Sequence, residues 1–165
     1  MPELQLLSAS HGPAVLAFEL GNRAYFAESI CDRGDAFYDS FTERLESLLA
    51  EQAAGTSAFY VYADEGGAIL GRFNLYDIKD GAARLGYRVA QHAAGRGVAT
   101  AAARDLCALA ATRYGLRALL AATSRENIAS WKVLTKIGFV AIGPADPTDI
   151  GGKQGTLYRR DLTTG

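Results

Sequence analysis

The chain has 165 residues, 49% of them apolar, and carries 17 basic against 18 acidic side chains for a formal charge of −1. One domain over 1–165 with a substantial core is expected; a disordered tail and a fibre are excluded, and no stretch nears the roughly 18 apolar residues of a membrane span. Without a basic run there is no wide face for nucleic acid, Glu3 stands where a secretory signal wants Lys or Arg, and Cys31 and Cys107 form no CxxC pair, so a soluble cytoplasmic protein with reduced thiols is expected.

Leu4 to Leu7 can start a strand, and Ser10-His11-Gly12-Pro13 reads as a helix entry with Ser10 as a cap. A short helix covers about Ala14 to Asn22. From Asp35 onward Phe37, Phe41, Leu45, Leu48 and Leu49 recur at helical spacing, which predicts one amphipathic helix closed by Gly55. Ala58 to Ala63 and Ala68 to Leu75 flank the turn-forming Asp64-Glu65-Gly66-Gly67 and should pair as a hairpin. After Asp80-Gly81, Leu85, Tyr87 and Val89 alternate with Arg84, Gly86 and Arg88, giving a third antiparallel strand.

The pattern then changes. A loop, Ala93-Ala94-Gly95-Arg96-Gly97, leads into an alanine-rich helix from about Val98 to Tyr114, stopped by Gly115. Leu116 to Thr123 has almost no polar face, which predicts a central strand. A second helix spans Glu126 to Ile137, Phe139 to Ile142 resumes strand, and Thr156 to Leu162 is the last strand.

Glycines before a helix let a ligand approach the backbone, and the first helical turn offers free N–H groups that suit phosphate oxygens; a tight turn with no ligand is the lesser alternative from this loop alone. A P-loop reading is weakened because no lysine lies between Lys79 and Lys132, and a dinucleotide fingerprint because its third glycine is missing at Thr100. On the second helix Ser130 shares a face with Val133, Leu134 and Ile137. It is either a small packing residue bonded to the preceding turn or a group aimed at a ligand. Asn127 reads as a helix cap.

The segment from Asn127 to Phe139 matches the pattern NxxSxxVLxKxGF, and Gly95, Gly97 and Ala99 match an (Arg/Gln)xxGxGxA loop. Together they resemble the GCN5-related N-acetyltransferase (GNAT) superfamily, and most closely its ribosomal-protein alanine N-acetyltransferase branch. The resemblance implies an α/β (α+β) fold: a central mixed, mostly antiparallel sheet of six to seven strands with a splayed parallel pair, flanked by about four helices. It implies acetyl-CoA as cosubstrate and no metal. The pantetheine arm would lie along the strand holding Tyr87 and Val89, as an added strand does. The diphosphate would meet the backbone of Gly95, Arg96, Gly97, Val98, Ala99 and Thr100, with His92 at the family's Arg/Gln position. Asn127 and Ser130 would contact the cofactor and serve the chemistry, Ser130 facing the sulfur.

The sequence departs from the wider family in two places. Leu134 stands where many members carry a general-acid tyrosine, leaving Ser130 to hold or protonate the thiolate, and Arg84 stands near the position of a base-organising glutamate. Glu28, Asp146 and Asp149 are weak candidates for the base; His11 and His92 read as solvated. Tyr25, Phe26, Glu28 and Tyr76 are expected to line the acceptor cleft. A peptide amino terminus is the favoured acceptor and a small amine the next; a polyamine would call for an acidic pocket that these residues do not provide. A homodimer is compatible with the resemblance. The rival readings are a non-catalytic acyl-CoA-binding module and, behind it, a dinucleotide-dependent oxidoreductase.

Overall fold

Local alternation, turn chemistry and apolar stripes sort the chain into an ordered series of strands and helices. The computed structural model describes residues 2–28 and 32–162, so Cys31 lies outside the described residues. β1 (Glu3–Leu6) leads to α1 (Gly12–Gly21), α2 (Arg23–Ala27), α3 (Asp35–Asp39) and α4 (Phe41–Ala53). Next come β2 (Ala58–Ala63), β3 (Ile69–Lys79) and β4 (Ala82–Val89), then α5 (Val98–Thr112), β5 (Ala118–Ser124), α6 (Ile128–Lys136), β6 (Val140–Pro144) and β7 (Gly155–Asp161). The seven strands form one sheet in the order β1-β2-β3-β4-β5-β7-β6. Asp80 and Gly81 both hold positive φ (53° and 78°), as a two-residue hairpin between right-twisted strands demands.

Every neighbouring pair is antiparallel except β4 and β5. These two are parallel and register only at Ala82–Arg84 against Ala118–Leu120. Beyond that point β4 continues to Val89 and β5 to Ser124 with no ladder between them, so the sheet opens into a wedge whose β4 wall is a free strand edge. β5 sits in mid-sheet, as its apolar sequence predicts.

Both faces are covered. Phe73, Leu75 and Leu85 pack against Ala102, Leu106 and Ala110 of α5, Leu134 of α6 and Ile137 just after it, where alanine lets α5 lie close to the strands. Phe59 and Val61 on the opposite face pack against Val15, Phe18, Phe26, Phe37, Phe41 and Leu45 of the first four helices. Cys107 is buried within the first of these layers and forms no disulfide.

The structure corrects the sequence reading in three places. The helix expected from Asp35 is two helices, broken at Ser40, whose hydroxyl donates to the Ala36 carbonyl at 2.6 Å and competes with the helical ladder. α2 was not expected: five residues are too few to show a helical period. Four longer helices therefore match the expected number, and two five-residue helices, α2 and α3, add to them. Ser10 does not cap α1. It lies inside a 3-10 turn, Ala9–His11, and the His11 ring is engaged rather than solvated, accepting from the Ser8 N–H at 3.0 Å and lying 3.0 Å from Gln5 Oε1.

Candidate active site

The wedge between β4 and β5 continues into a cavity of about 490 Å³ whose walls are β4, the glycine loop, the start of α5 and one face of α6. Gly97 is the residue before α5 and holds a left-handed conformation (φ 76°, ψ 6°), which turns the chain into the helix with its first N–H groups facing outward. A Cβ built on Gly95 or Gly97 meets no atom within 4 Å, so the loop presents bare backbone to the cavity. The helical ladder of α5 begins with the Ala101 N–H donating to the Gly97 carbonyl at 3.0 Å, leaving the N–H groups of Val98, Ala99 and Thr100 for an anion. Lys132 and Lys136, one turn apart on α6, line the same space. Bare backbone donors, two ammonium groups and a free strand edge suit an elongated ligand with amides at one end and phosphates at the other.

A second cavity of about 390 Å³ opens on the far side of the throat, bounded by β5 and the loop through Asp149 to Lys153. Tyr87, Asn127 and Ser130 line both cavities. Tyr87 stacks on Phe73 (5.6 Å between centroids, 15° between planes) and points its hydroxyl at α6. There it donates to the Ser130 carbonyl at 3.1 Å and lies 3.2 Å from Ser130 Oγ. Burial pushes the Tyr87 phenol up to about 12, so it keeps its proton at neutral pH. Asn127 caps α6, its side-chain oxygen accepting from the Ser130 N–H at 3.3 Å.

The structure gathers most of the sequence-named residues around this throat. Tyr87, Val89, Gly95, Gly97, Val98, Ala99, Thr100, Asn127 and Ser130 line the larger cavity together with Tyr25 and Phe26. His92 and Arg96 are exposed and do not line it. Glu28 is exposed outside the cavities. Asp146 caps a 3-10 turn through the Thr148 N–H (3.0 Å) and hydroxyl (2.8 Å), which hold its carboxyl below the usual carboxylate range. Asp149 is paired with Arg84 at 2.9 Å. Asn22 accepts from the Gln91 N–H at 2.9 Å, anchoring the end of α1 to the start of the glycine loop.

A further group of residues carries no signature in the sequence. Glu19 of α1 is fully buried, with Arg72 Nη1 at 2.7 Å, Arg88 Nη1 at 3.1 Å and Arg33 Nε at 3.7 Å from its carboxylate oxygens. Arg72 and Arg88 face each other across β3 and β4, a like-charge pairing that the carboxylate between them makes tolerable. Beside them lies a cavity of about 210 Å³ lined by Arg33, Arg72, Asn74, Tyr76, Tyr87 and Arg88. Tyr76 thus borders the throat, its hydroxyl accepting from Asn74 Nδ2 at 2.9 Å. Gly86 makes this possible: a Cβ there would stand 2.9 Å from the Tyr76 ring.

A family model described as an acetyltransferase (GNAT) domain matches residues 12–140. No curated protein matches the chain. Among solved structures, the ribosomal-protein-S5-alanine acetyltransferase from Vibrio fischeri superposes with a TM-score of 0.90 at 22% identity, over 99% of this chain and 94% of that one. RimJ from Mycobacterium smegmatis, in complex with CoA-disulfide, gives 0.84 at 22% identity, over 96% and 80%. Spermidine N-acetyltransferase from Vibrio cholerae, in complex with CoA and spermine, gives 0.77 at 16% identity, over 98% and 95%. These likenesses establish a common fold.

Proposed function

Since the chain belongs to the GNAT acetyltransferase family, we propose that it is an N-acetyltransferase that moves an acetyl group from acetyl-CoA to a primary amine by direct attack in a ternary complex. The observation that carries this reading is the parting of β4 from β5 beyond Arg84, directly above a glycine loop that offers bare N–H groups. The bound cosubstrate supplies a thioester. The free edge of β4 pairs with its amides as an extra strand would, and Gly95 to Thr100 with Lys132 and Lys136 take the diphosphate. A backbone N–H near Val89 steadies the developing oxyanion. Holding donor and acceptor together is itself worth about 7 to 11 kcal/mol over free collision.

The leaving thiolate needs a proton. Leu134 cannot give one, and the Ser130 and Tyr87 hydroxyls, 3.2 Å apart at the throat, can. Ser130 contacts the sulfur and passes it a proton, Tyr87 reprotonates Ser130, and the proton that the attacking amine sheds as the amide forms returns through water to Tyr87, so the relay ends each turnover as it began. No carboxylate is assigned as the base, because Asp146 and Asp149 are committed to structural partners and Glu28 faces solvent. A peptide amino terminus is the preferred acceptor, in keeping with the ribosomal-protein acetyltransferases that the fold matches. Thiol release from acetyl-CoA with a panel of peptides and small amines, in wild type and Ser130→Ala, tests the proposal. Turnover that drops in the variant supports it; tight coenzyme A binding with no turnover of any amine refutes it in favour of a non-catalytic binding module.

A further inference from the structure

On the reading that this cleft acetylates an amine, we propose that its acceptor carries a carboxylate close to the amine, as in an acidic peptide amino terminus, held by Arg33, Arg72 and Arg88. The cavity that these residues line meets the cofactor cleft at Tyr87 and Arg88, which belong to both. Its charge is unbalanced: among the described residues three guanidinium groups converge on the single carboxylate of Glu19, leaving an excess of two positive charges. The side chains of Arg72 and Arg88 are only 7% and 14% exposed, so water screens them little and a substrate carboxylate meets them at close to full strength.

A purely structural cluster would need one cation for one anion, and it would leave no neighbour unsatisfied. Here Asn74 Oδ1 is buried, borders the cavity and has no hydrogen-bond partner among the described residues. It is placed to accept a substrate N–H, such as the first peptide amide, while the guanidinium groups take the acid. The Arg88 and Arg33 guanidinium groups also stack on the Phe26 and Phe37 rings at 4.7 Å, which fixes the direction they face. Burial, and after it the charge of Arg88, pulls the Arg33 guanidinium below its usual range. A polyamine entering this space would meet like charge.

Calorimetry on the full chain with coenzyme A present, titrated with pentapeptides that differ only in Glu, Gln or Lys at the second position, reads this preference. The Glu peptide is expected to bind about tenfold more tightly than the Gln peptide, and the Lys peptide more weakly than both. Free glutamate as a fourth titrant distinguishes a side-chain acid from an α-carboxylate. In Arg33→Gln, which leaves the two shorter Glu19 contacts to hold the fold, the Glu-over-Gln preference should shrink several-fold. Equal affinity for the three peptides, a preference for Lys, or no binding of any of them overturns the proposal. Thiol release with the same peptides is scored separately: acid-selective binding without release sinks the acetyl-transfer reading and leaves the anion site standing.

Discussion

Glu19→Gln keeps the volume of the side chain and removes its charge, leaving Arg72 and Arg88 buried face to face. Two contacts dominate the cost, at 2.7 and 3.1 Å to guanidinium groups that water barely reaches. The third, at 3.7 Å to an Arg33 side chain that is 31% exposed, is screened and contributes little. Removing one partner of such a buried pair costs about 3 to 5 kcal/mol, mostly as uncompensated charge left behind. For a chain of this length each kcal/mol lowers Tm by about 2 to 4 °C, so a fall of roughly 6 to 20 °C is expected. Equilibrium urea unfolding with an unchanged slope, alongside thermal melting, measures it. A loss below about 1 kcal/mol would mean that water already reaches the guanidinium groups and that Glu19 is not the keystone of the α1 face.

Four further outcomes follow from the geometry. Tyr87→Phe should lower kcat by about a hundredfold with little change in the KM for acetyl-CoA, and combining it with Ser130→Ala should cost much less than the two losses multiplied, because the hydroxyls act as one relay. With its phenol pushed up to about 12, Tyr87 stays a donor, so the wild-type pH–rate profile should show no loss from its ionisation up to about pH 10. Gly97→Ala puts a side chain on a left-handed residue where no neighbour crowds it; a stability loss of about 1 to 2 kcal/mol and weaker coenzyme A binding by calorimetry are expected. Burial pushes the Cys107 thiol up, so at pH 8 a smaller share is thiolate than in an exposed cysteine; peptide mass mapping should find Cys107 alkylated only once denaturant is added.

The elements that organise the site were legible because their signals are local. Asp80-Gly81 dictates its own turn, Gly95-Arg96-Gly97 its helix entry, and the spacing from Asn127 to Phe139 its helix face. The charged cluster was not legible. In β4 the alternation of Leu85, Tyr87 and Val89 with Arg84, Gly86 and Arg88 marks two faces, and a sheet with one wet side would turn the arginines outward. Here α1 to α4 cover that side, so Arg88 and its neighbour Arg72 are enclosed. Alternation separates faces without saying which one meets water. Glu19 follows Phe18 on the buried side of α1, and only the tertiary partner arriving from β3, 53 positions away, explains a carboxylate there. Ser130 illustrates the same limit: its helix face was evident, whereas its engagement with Tyr87 depends on how far α6 sits from β4.

The seam between Ala82–Arg84 and Ala118–Leu120 gives the molecule the construction of a clothes-peg. One jaw is the ladder of β1 to β4 and the other that of β5, β7 and β6, with α5 as the spring and the Arg117 N–H on the Gly81 carbonyl, at 2.7 Å, as part of the pivot. Anything gripped between the jaws touches both, so it braces the entire sheet rather than one loop. At a hundred times its Kd such an occupant adds about 2.7 kcal/mol of resistance to unfolding. A protein built this way should carry a gauge of its own supply, with a lifetime against proteases that is expected to lengthen as the donor becomes plentiful and to shorten as it runs low.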